Sequence, residues 1–253
     1  MDAVILAAGE GTRFFESGAN VFKQVYLHEN EPIITRIVRQ LYEIKKFSSV
    51  CVVLGQNKQC NKSIKQALEG YQINYVINKK SREDNNFLSL MESIDSYKTK
   101  LESDILVIES DCIFHKSDLI SLVNTPKKDG DIVWANIGNK NSTQAGGILF
   151  SNKKIKNIHQ IDEIRIIKNP FLDAVLENKY NFILKMYGLT FFSAGAVKKY
   201  IQLANEYKSQ KNIYFHQVII ENIGSFVNLS VKMSDDSMSF NTLVEYNTKK
   251  NTY

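Results

Sequence analysis

The chain has 253 residues, a net charge of +5, and 43% hydrophobic and 23% charged residues. These proportions are typical of a globular protein with one sizeable core, so we expect a single domain over residues 1–253. The modest positive charge suits small anionic substrates. The absence of a dense basic patch argues against nucleic acid as a partner, and no apolar run approaches the roughly 20 residues of a membrane-spanning helix.

The chain start and the cysteines predict a cytoplasmic location. Neither a basic segment nor a cleavage pattern follows Met1 and Asp2, so we expect no export. An odd, sparse set of cysteines without metal-ligand spacing fits a reducing compartment. These cysteines are Cys51, Cys60 and Cys112.

Strands and helices are expected to alternate along the first half of the chain. The apolar run at residues 3–6 predicts a buried strand. Apolar residues at helical spacing then predict a helix over residues 32–47, with proline at its start. The further elements expected in this half are strands over 49–55, 73–77 and 101–108 and helices over 61–68 and 85–97.

The second half carries more strand signals. Strands are expected over 131–135, 146–150, 189–192 and 226–233, and helices over 196–207, 215–223 and from 242 onward. The alternation predicts an α/β fold with a doubly wound, mainly parallel (mixed) sheet of the Rossmann-like type. Ligands of such sheets bind at the carboxyl ends of the strands, where Gly9, Gly11 and Asp111 all fall.

The loop after the first strand carries the clearest functional signal. It reads Leu6-Ala-Ala-Gly-Glu-Gly-Thr-Arg13, with Lys23 ten residues further on. Its glycines allow backbone N–H groups to approach a ligand, and a forked cation together with a point-charge cation suits a polyphosphate. It has neither the Gly-Lys-Ser/Thr of a Walker loop nor the third glycine of a dinucleotide fingerprint. The alternative is an ordinary glycine turn, which the added cations make less attractive.

This loop resembles the signature loop of nucleotidyltransferases, the enzymes that make nucleoside-diphosphate sugars and CDP-alcohols. The resemblance implies that Arg13 and Lys23 are catalytic cations, Arg13 on the leaving pyrophosphate and Lys23 nearer the α-phosphate. In the family a Pro-Lys pair follows the loop, whereas this chain has Phe22-Lys23. The nucleotide-binding residues implied for the loop are Leu6, Ala8, Gly9, Gly11 and Thr12.

Nucleotidyl transfer must align two anions and neutralise the charge between them, which calls for a divalent metal with hard oxygen ligands. Asp111 follows an apolar strand, in a segment that resembles the Mg²⁺-binding segment of the family. The late segment around Asn241 resembles the family's second metal segment, so the resemblance implies Mg²⁺ held by Asp111 and Asn241. A helix-capping role for Asn241 remains an alternative. Asp235 and Asp236 remain rival ligands.

A third motif, Asn85-Asn86-x-x-Ser89, precedes the expected helix. It resembles the corresponding segment of the phosphocholine and 2-aminoethylphosphonate cytidylyltransferases. The resemblance implies that Asn85, Asn86 and Ser89 bind the nucleotide and that this nucleotide is CTP. Simple capping of the helix by asparagine is the alternative interpretation.

Together these motifs predict an Mg²⁺-dependent cytidylyltransferase. It would transfer CMP from CTP to a small phosphorylated or phosphonate acceptor and release pyrophosphate, with neither nucleic acid nor membrane as a partner. The alternatives are a sugar-1-phosphate nucleotidyltransferase and a non-catalytic nucleotide-binding domain of the same fold. The presence of Lys23, Arg13 and Asp111 favours an enzyme. The identity of the acceptor and the oligomeric state are left open.

Overall fold

The computed structural model describes residues 1–83, 86–96, 102–139, 146–167 and 179–250. Strands and helices alternate in the amino-terminal part, as the apolar pattern predicts. The elements there are β1 (Asp2–Leu6), α1 (Thr12–Glu16), β2 (Leu27–His28), β3 (Glu31–Pro32), α2 (Ile33–Ile44), β4 (Ser49–Leu54), α3 (Lys58–Ala67), β5 (Asn74–Ile77) and α4 (Phe87–Ser96).

The remainder of the chain is richer in strands. Its elements are β6 (Ile105–Glu109), β7 (Cys112–Ile113), α5 (Lys116–Asn124), β8 (Asp131–Asn139), β9 (Gly146–Ser151), β10 (Lys153–Ile155), β11 (Ile158–Gln160), β12 (Glu163–Ile167), β13 (Phe182–Phe192), α6 (Ala194–Ala204), α7 (Phe215–Glu221), β14 (Val227–Lys232), β15 (Met238–Ser239) and α8 (Leu243–Lys250).

Most strands join one mixed sheet. Its order in the described part of the chain is β10-β11-β14-β8-β13-β6-β1-β4-β5, with β9 paired to β13 and β12 paired to β9. Strands β6, β1, β4 and β5 are parallel. Strand β13 is antiparallel to β6, β8 and β9. The expected mixed α/β fold is confirmed, with antiparallel pairing concentrated in the second half, where short connections replace crossover helices.

Strand β1 lies at the centre and is buried throughout. Ala3 and Ile5 pack in the cluster that contains helix α2, and Val4 and Leu6 pack in the cluster that contains helix α4. A strand covered on both faces has no polar side, which is why its sequence is a continuous apolar run. Among the described residues, no helix has the length and apolar character needed to cross a membrane.

Several expected boundaries were wrong. The helix expected to reach residue 47 ends at Ile44, because Lys45 adopts a left-handed conformation (φ 55°) that closes it. The strand expected over 189–192 spans Phe182–Phe192, and Lys185 and Gly188 interrupt the apolar run of its first half. Helix α1 and the short strands β2, β3, β7, β10 to β12 and β15 were not expected.

Candidate active site

The candidate site lies where β1 and β6 end side by side. These strands are parallel, with Leu6 paired to Glu109 at their carboxyl ends. The backbone N–H of Ser110 donates to the Leu6 carbonyl (3.3 Å), and that of Ala7 donates to the Val53 carbonyl of β4 (3.0 Å). The loop after β1 and the segment after β6 therefore start from a rigid edge and face each other.

The loop between β1 and α1 presents backbone donors. Gly11 has φ 68° and ψ 30°, a left-handed conformation that favours glycine, and it caps α1. A Cβ on Gly9 would meet nothing within 4 Å, so this part of the loop borders open space. Gln24 holds the loop by donating to the Gly9 carbonyl (2.8 Å). Within the described part of the chain, the N–H groups of residues 8–13 donate no hydrogen bond, so they remain available to an anion.

Lys23 and Asp111 form an ion pair across this edge. The Lys23 Nζ donates to Asp111 Oδ2 at 2.7 Å and lies 5.2 Å from the centre of the Phe240 ring. The Lys23 side chain is 11% exposed and that of Asp111 23%. Phe22, which stands where the family has proline, has φ −65°. That is the value proline would impose, so the lysine is presented without it.

Arg13 and Asn241 form a second pair. The Arg13 Nη2 donates to Asn241 Oδ1 at 3.0 Å. Capping of α8 falls to Thr242, whose hydroxyl accepts from the Glu245 N–H (3.1 Å). The Asn241 side chain is therefore not needed as the cap. Each cation of the loop is thus paired with one of the two expected metal ligands.

The carboxy-terminal segment reaches this site through specific anchors. Strand β15 pairs with β7, which directly follows Asp111. The Asp118 carboxylate accepts hydrogen bonds from the hydroxyls of Ser234 (2.7 Å) and Ser237 (2.8 Å). The Leu243 N–H donates to the hydroxyl of Ser17 at the end of α1 (2.7 Å).

The rival metal ligands are engaged on the surface. The Asp236 carboxylate lies 2.6 Å from His115 Nε2, and the Asp235 carboxylate pairs with Lys232. Asn241 differs from both in that its partner is Arg13, which follows the glycine loop.

The donor set around Asp111 fits a hard divalent cation such as Mg²⁺. A carboxylate and an amide oxygen are suitable ligands, and each accepts a hydrogen bond from a cationic side chain. In the described part of the chain, no three His, Cys, Asp or Glu side chains converge on a common point. An ion here would complete its coordination with phosphate oxygens and water, which is usual for Mg²⁺.

Glu109 is a half-buried carboxyl that the sequence interpretation missed. Burial, reinforced by the Asp111 carboxylate, raises the pKa of Glu109 to about 7, and Lys23 and Lys185 partly oppose the shift. The available signal was a charged residue ending an apolar strand, two positions before Asp111.

The expected contact of Asn86 with the nucleotide needs correction. Its Nδ2 donates to Glu109 Oε1 (3.2 Å), and its Oδ1 accepts from the Phe215 N–H at the start of α7 (3.0 Å). The backbone of Asn86 is left-handed, with φ 94°. The amide thus joins three segments of the protein instead of facing a ligand.

Ser89 needs a similar correction. It is 2% exposed, and its hydroxyl accepts from Asn78 Nδ2 at 2.9 Å. It links α4 to the segment after β5 and offers no surface to a nucleotide. Asn85 lies outside the described residues. Leu6 and Ala8 are buried, so their contribution to a ligand would come from the backbone, and Thr12 is the first residue of α1.

The strand pairing along β13 is interrupted beside Glu109. On one edge of β13, β6 pairs with residues 189–192 and β9 pairs with residues 182–185. Residues 186–188 lie between, facing the end of β6 on one side and Gly146 and Gly147 of β9 on the other. We call this the β6–β9 gap.

Gly188 allows the carboxyl of Glu109 to lie at this gap. A Cβ on Gly188 would be 2.6 Å from the Cys112 Sγ and 2.9 Å from Glu109 Oε2. The half-buried Glu109 carboxyl therefore lies at the gap, two positions before Asp111, and the Met186 side chain lies against Gly147 on the other side.

Fold and site together define an α/β protein of the nucleotidyltransferase class, with a glycine loop, two cations and two oxygen ligands at the end of the sheet. Residues 3–177 match the family model of the MobA-like NTP transferase domain, and the chain belongs to this family. No curated protein matches the sequence.

Solved structures with the same fold include enzymes for several nucleotides. The chain is similar to the CTP:phosphocholine cytidylyltransferase from Streptococcus pneumoniae (TM-score 0.72, 16% identity, 99% of this chain and 98% of that one). It is also similar to the inositol-1-phosphate CTP transferase from T. maritima (0.71, 15%, 98% and 93%). A UDP-glucose pyrophosphorylase complexed with UDP-glucose aligns equally well (0.75, 16%, 100% and 97%). At these identities the likeness shows the fold.

Proposed function

We propose that this chain, folded as a single domain, is an Mg²⁺-dependent cytidylyltransferase. It would transfer CMP from CTP to a small phosphorylated or phosphonate acceptor and release pyrophosphate. The observation that carries the proposal is the double pairing of Lys23 with Asp111 and of Arg13 with Asn241. Both cations lie beside a loop with free backbone donors, so one edge of the sheet offers every group that a triphosphate needs.

In the proposed reaction, an oxygen of the acceptor's phosphate or phosphonate forms a bond to the α-phosphorus of CTP. The bond from that phosphorus to the oxygen bridging to the β-phosphate breaks, and pyrophosphate leaves with the electron pair. Lys23 exchanges Asp111 for the α-phosphate, and Arg13 exchanges Asn241 for the departing pyrophosphate. The N–H groups of residues 8–13 hold the triphosphate chain. Mg²⁺ held by Asp111 and Asn241 would neutralise phosphate charge between the two reactants.

The β6–β9 gap is the natural place for the acceptor. It adjoins Asp111 and lies on the opposite side of β6 from β1 and the loop. A nucleotide on the loop and an acceptor in the gap would therefore meet at Asp111.

The sequence resemblance at Asn85-Asn86-x-x-Ser89 implies CTP, but Asn86 and Ser89 bond within the protein. The preference for CTP is therefore supported by two of the similar structures, whose names specify CTP. A sugar-1-phosphate nucleotidyltransferase is the second candidate, because the UDP-glucose pyrophosphorylase has a TM-score of 0.75, slightly above the 0.72 and 0.71 of the CTP enzymes.

A screen of pyrophosphate release separates these candidates. CTP, UTP, dTTP, ATP and GTP are each incubated with phosphocholine, 2-aminoethylphosphonate, glycerol phosphate, inositol 1-phosphate and glucose 1-phosphate, with Mg²⁺ or with a chelator. We expect release that requires CTP and stops on chelation. Release only with UTP or dTTP and glucose 1-phosphate would establish the second candidate, and release with no pair would overturn both.

A further inference from the structure

Lys185 places a cation in the β6–β9 gap. It lies on β13 opposite Ile148 of β9. Its Nζ lies 3.0 Å from the point that a Cβ on Gly146 would occupy and donates to the Gly147 carbonyl at 3.3 Å. Gly146 has φ 95°, which favours glycine. The bare backbone at the start of β9 thus provides the space in which the ammonium lies.

This ammonium has hydrogen-bond donors that no described residue satisfies. An ammonium has three N–H donors, but in the described part of the chain Lys185 has a single acceptor, at the long distance of 3.3 Å, and no ion pair. Burial lowers the pKa of Lys185, while the charge of Glu109 opposes the shift. The half-buried ammonium therefore has donors available, and an anionic ligand would accept a charge-assisted hydrogen bond from it.

The surrounding charges indicate where that anion would bind. Glu109, beside Lys185 in the gap, would repel an anion and so restrict it to the Lys185 side. Lys23 and Arg13 already lie beside the loop, where the nucleotide phosphates are proposed to bind. In the part of the chain that the structure describes, Lys185 is thus a further cation, available for the second anionic reactant.

We infer that Lys185 is a specificity-determining residue that binds the phosphate or phosphonate group of the acceptor in the β6–β9 gap. The inference rests on the proposed function, because it assigns the acceptor half of the same site. It also sets a chemical requirement for the acceptor, which must carry the reacting oxygen on a tetrahedral anion. A charge-assisted hydrogen bond from an ammonium to such an anion is strong.

The test is a comparison of KM values in the pyrophosphate-release assay, with the nucleotide and acceptor that the screen identifies. We expect Lys185→Ala to raise the KM of the acceptor by about 10- to 100-fold, the loss typical of a hydrogen bond to a charged group. The KM of the nucleotide should change by less than about twofold. Lys185→Arg should restore part of the acceptor affinity, and Lys153→Ala, an exposed lysine on β10, is the matched control.

A binding measurement without turnover separates the inference from the proposed function. Phosphocholine, 2-aminoethylphosphonate and glucose 1-phosphate are titrated calorimetrically into the wild type, Lys185→Ala and Lys153→Ala. Binding lost only in Lys185→Ala supports the inference even if the reaction is not cytidylyl transfer. Equal binding by all three proteins, no binding by the wild type, or a parallel rise of both KM values in Lys185→Ala would overturn it.

Discussion

Replacing Lys23 by methionine should change metal affinity and turnover in opposite directions. The Lys23 ammonium occupies Asp111 Oδ2 at 2.7 Å, so a metal ion must displace it. At an effective dielectric constant of about 20, the gross attraction at this distance is about 6 kcal/mol, and desolvation cancels most of it. Because the side chains are 11% and 23% exposed, we place the net value between that of surface and buried pairs, at about 1–2 kcal/mol.

Removing this competition should strengthen binding of Mn²⁺, as a paramagnetic substitute for Mg²⁺, by roughly 5- to 30-fold in the absence of nucleotide. Turnover should fall by about 10²–10³-fold, the usual loss for one electrostatic stabiliser. Methionine keeps the stem of Lys23 beside Phe240, so packing is largely retained.

Metal affinity is measured by electron paramagnetic resonance of free Mn²⁺ and turnover by pyrophosphate release, with Lys153→Met as the exposed-lysine control. Unchanged or weaker Mn²⁺ binding in Lys23→Met would refute the competition between ammonium and metal. Normal turnover would refute the catalytic role of Lys23.

Two further predictions concern the packing behind the site. Gly188→Ala would place a Cβ 2.6 Å from the Cys112 Sγ, so we expect the free energy of unfolding to fall by about 1–3 kcal/mol. Gly224→Ala is the control, because its Cβ would meet nothing within 4 Å and should cost little. Equal melting temperatures for the two variants would show that the sheet shifts at Gly188 to accommodate the methyl group. Burial and the charge of Lys185 lower the pKa of His216 to about 3, so the unfolded chain binds a proton that the folded chain does not between about pH 6.5 and 3. His216 should therefore lower the free energy of unfolding by up to about 1.4 kcal/mol for each pH unit of acidification in this window. Urea unfolding of His216→Leu at a series of pH values should show a weaker dependence of this free energy on pH. The same dependence on pH in the variant and the wild type would argue against a neutral buried histidine.

The elements that the sequence predicts well are those whose signals are local. Strand β1 is a continuous apolar run, the glycine loop follows it directly, and Asp111 ends a second apolar run. A parallel sheet brings such strand ends together, so the meeting of the loop with Asp111 could be anticipated from the strand order. Arg13 and Asn241 could be assigned to one site only through the family resemblance, because 228 positions separate them, and their hydrogen bond was not expected.

The acceptor side could not be anticipated in this way. The β6–β9 gap exists because β13 changes partner from β9 to β6 along one edge, a long-range pairing without a local sequence pattern. Lys185 and Glu109 read as ordinary charged residues until that pairing places them together. Asn86 and Ser89 illustrate the opposite error: a motif that suggests ligand contact is used for hydrogen bonds within the protein.

The central claim is that the loop of residues 8–13 binds a triphosphate while Lys23 and Arg13 leave their present partners. A crystal structure with CTP and Mg²⁺ tests it most directly. We expect the triphosphate on the N–H groups of the loop, the Lys23 Nζ and the Arg13 guanidinium on phosphate oxygens, and Asp111 and Asn241 on the ion. A nucleotide bound elsewhere, with the 2.7 Å pair of Lys23 and Asp111 intact, would contradict the account.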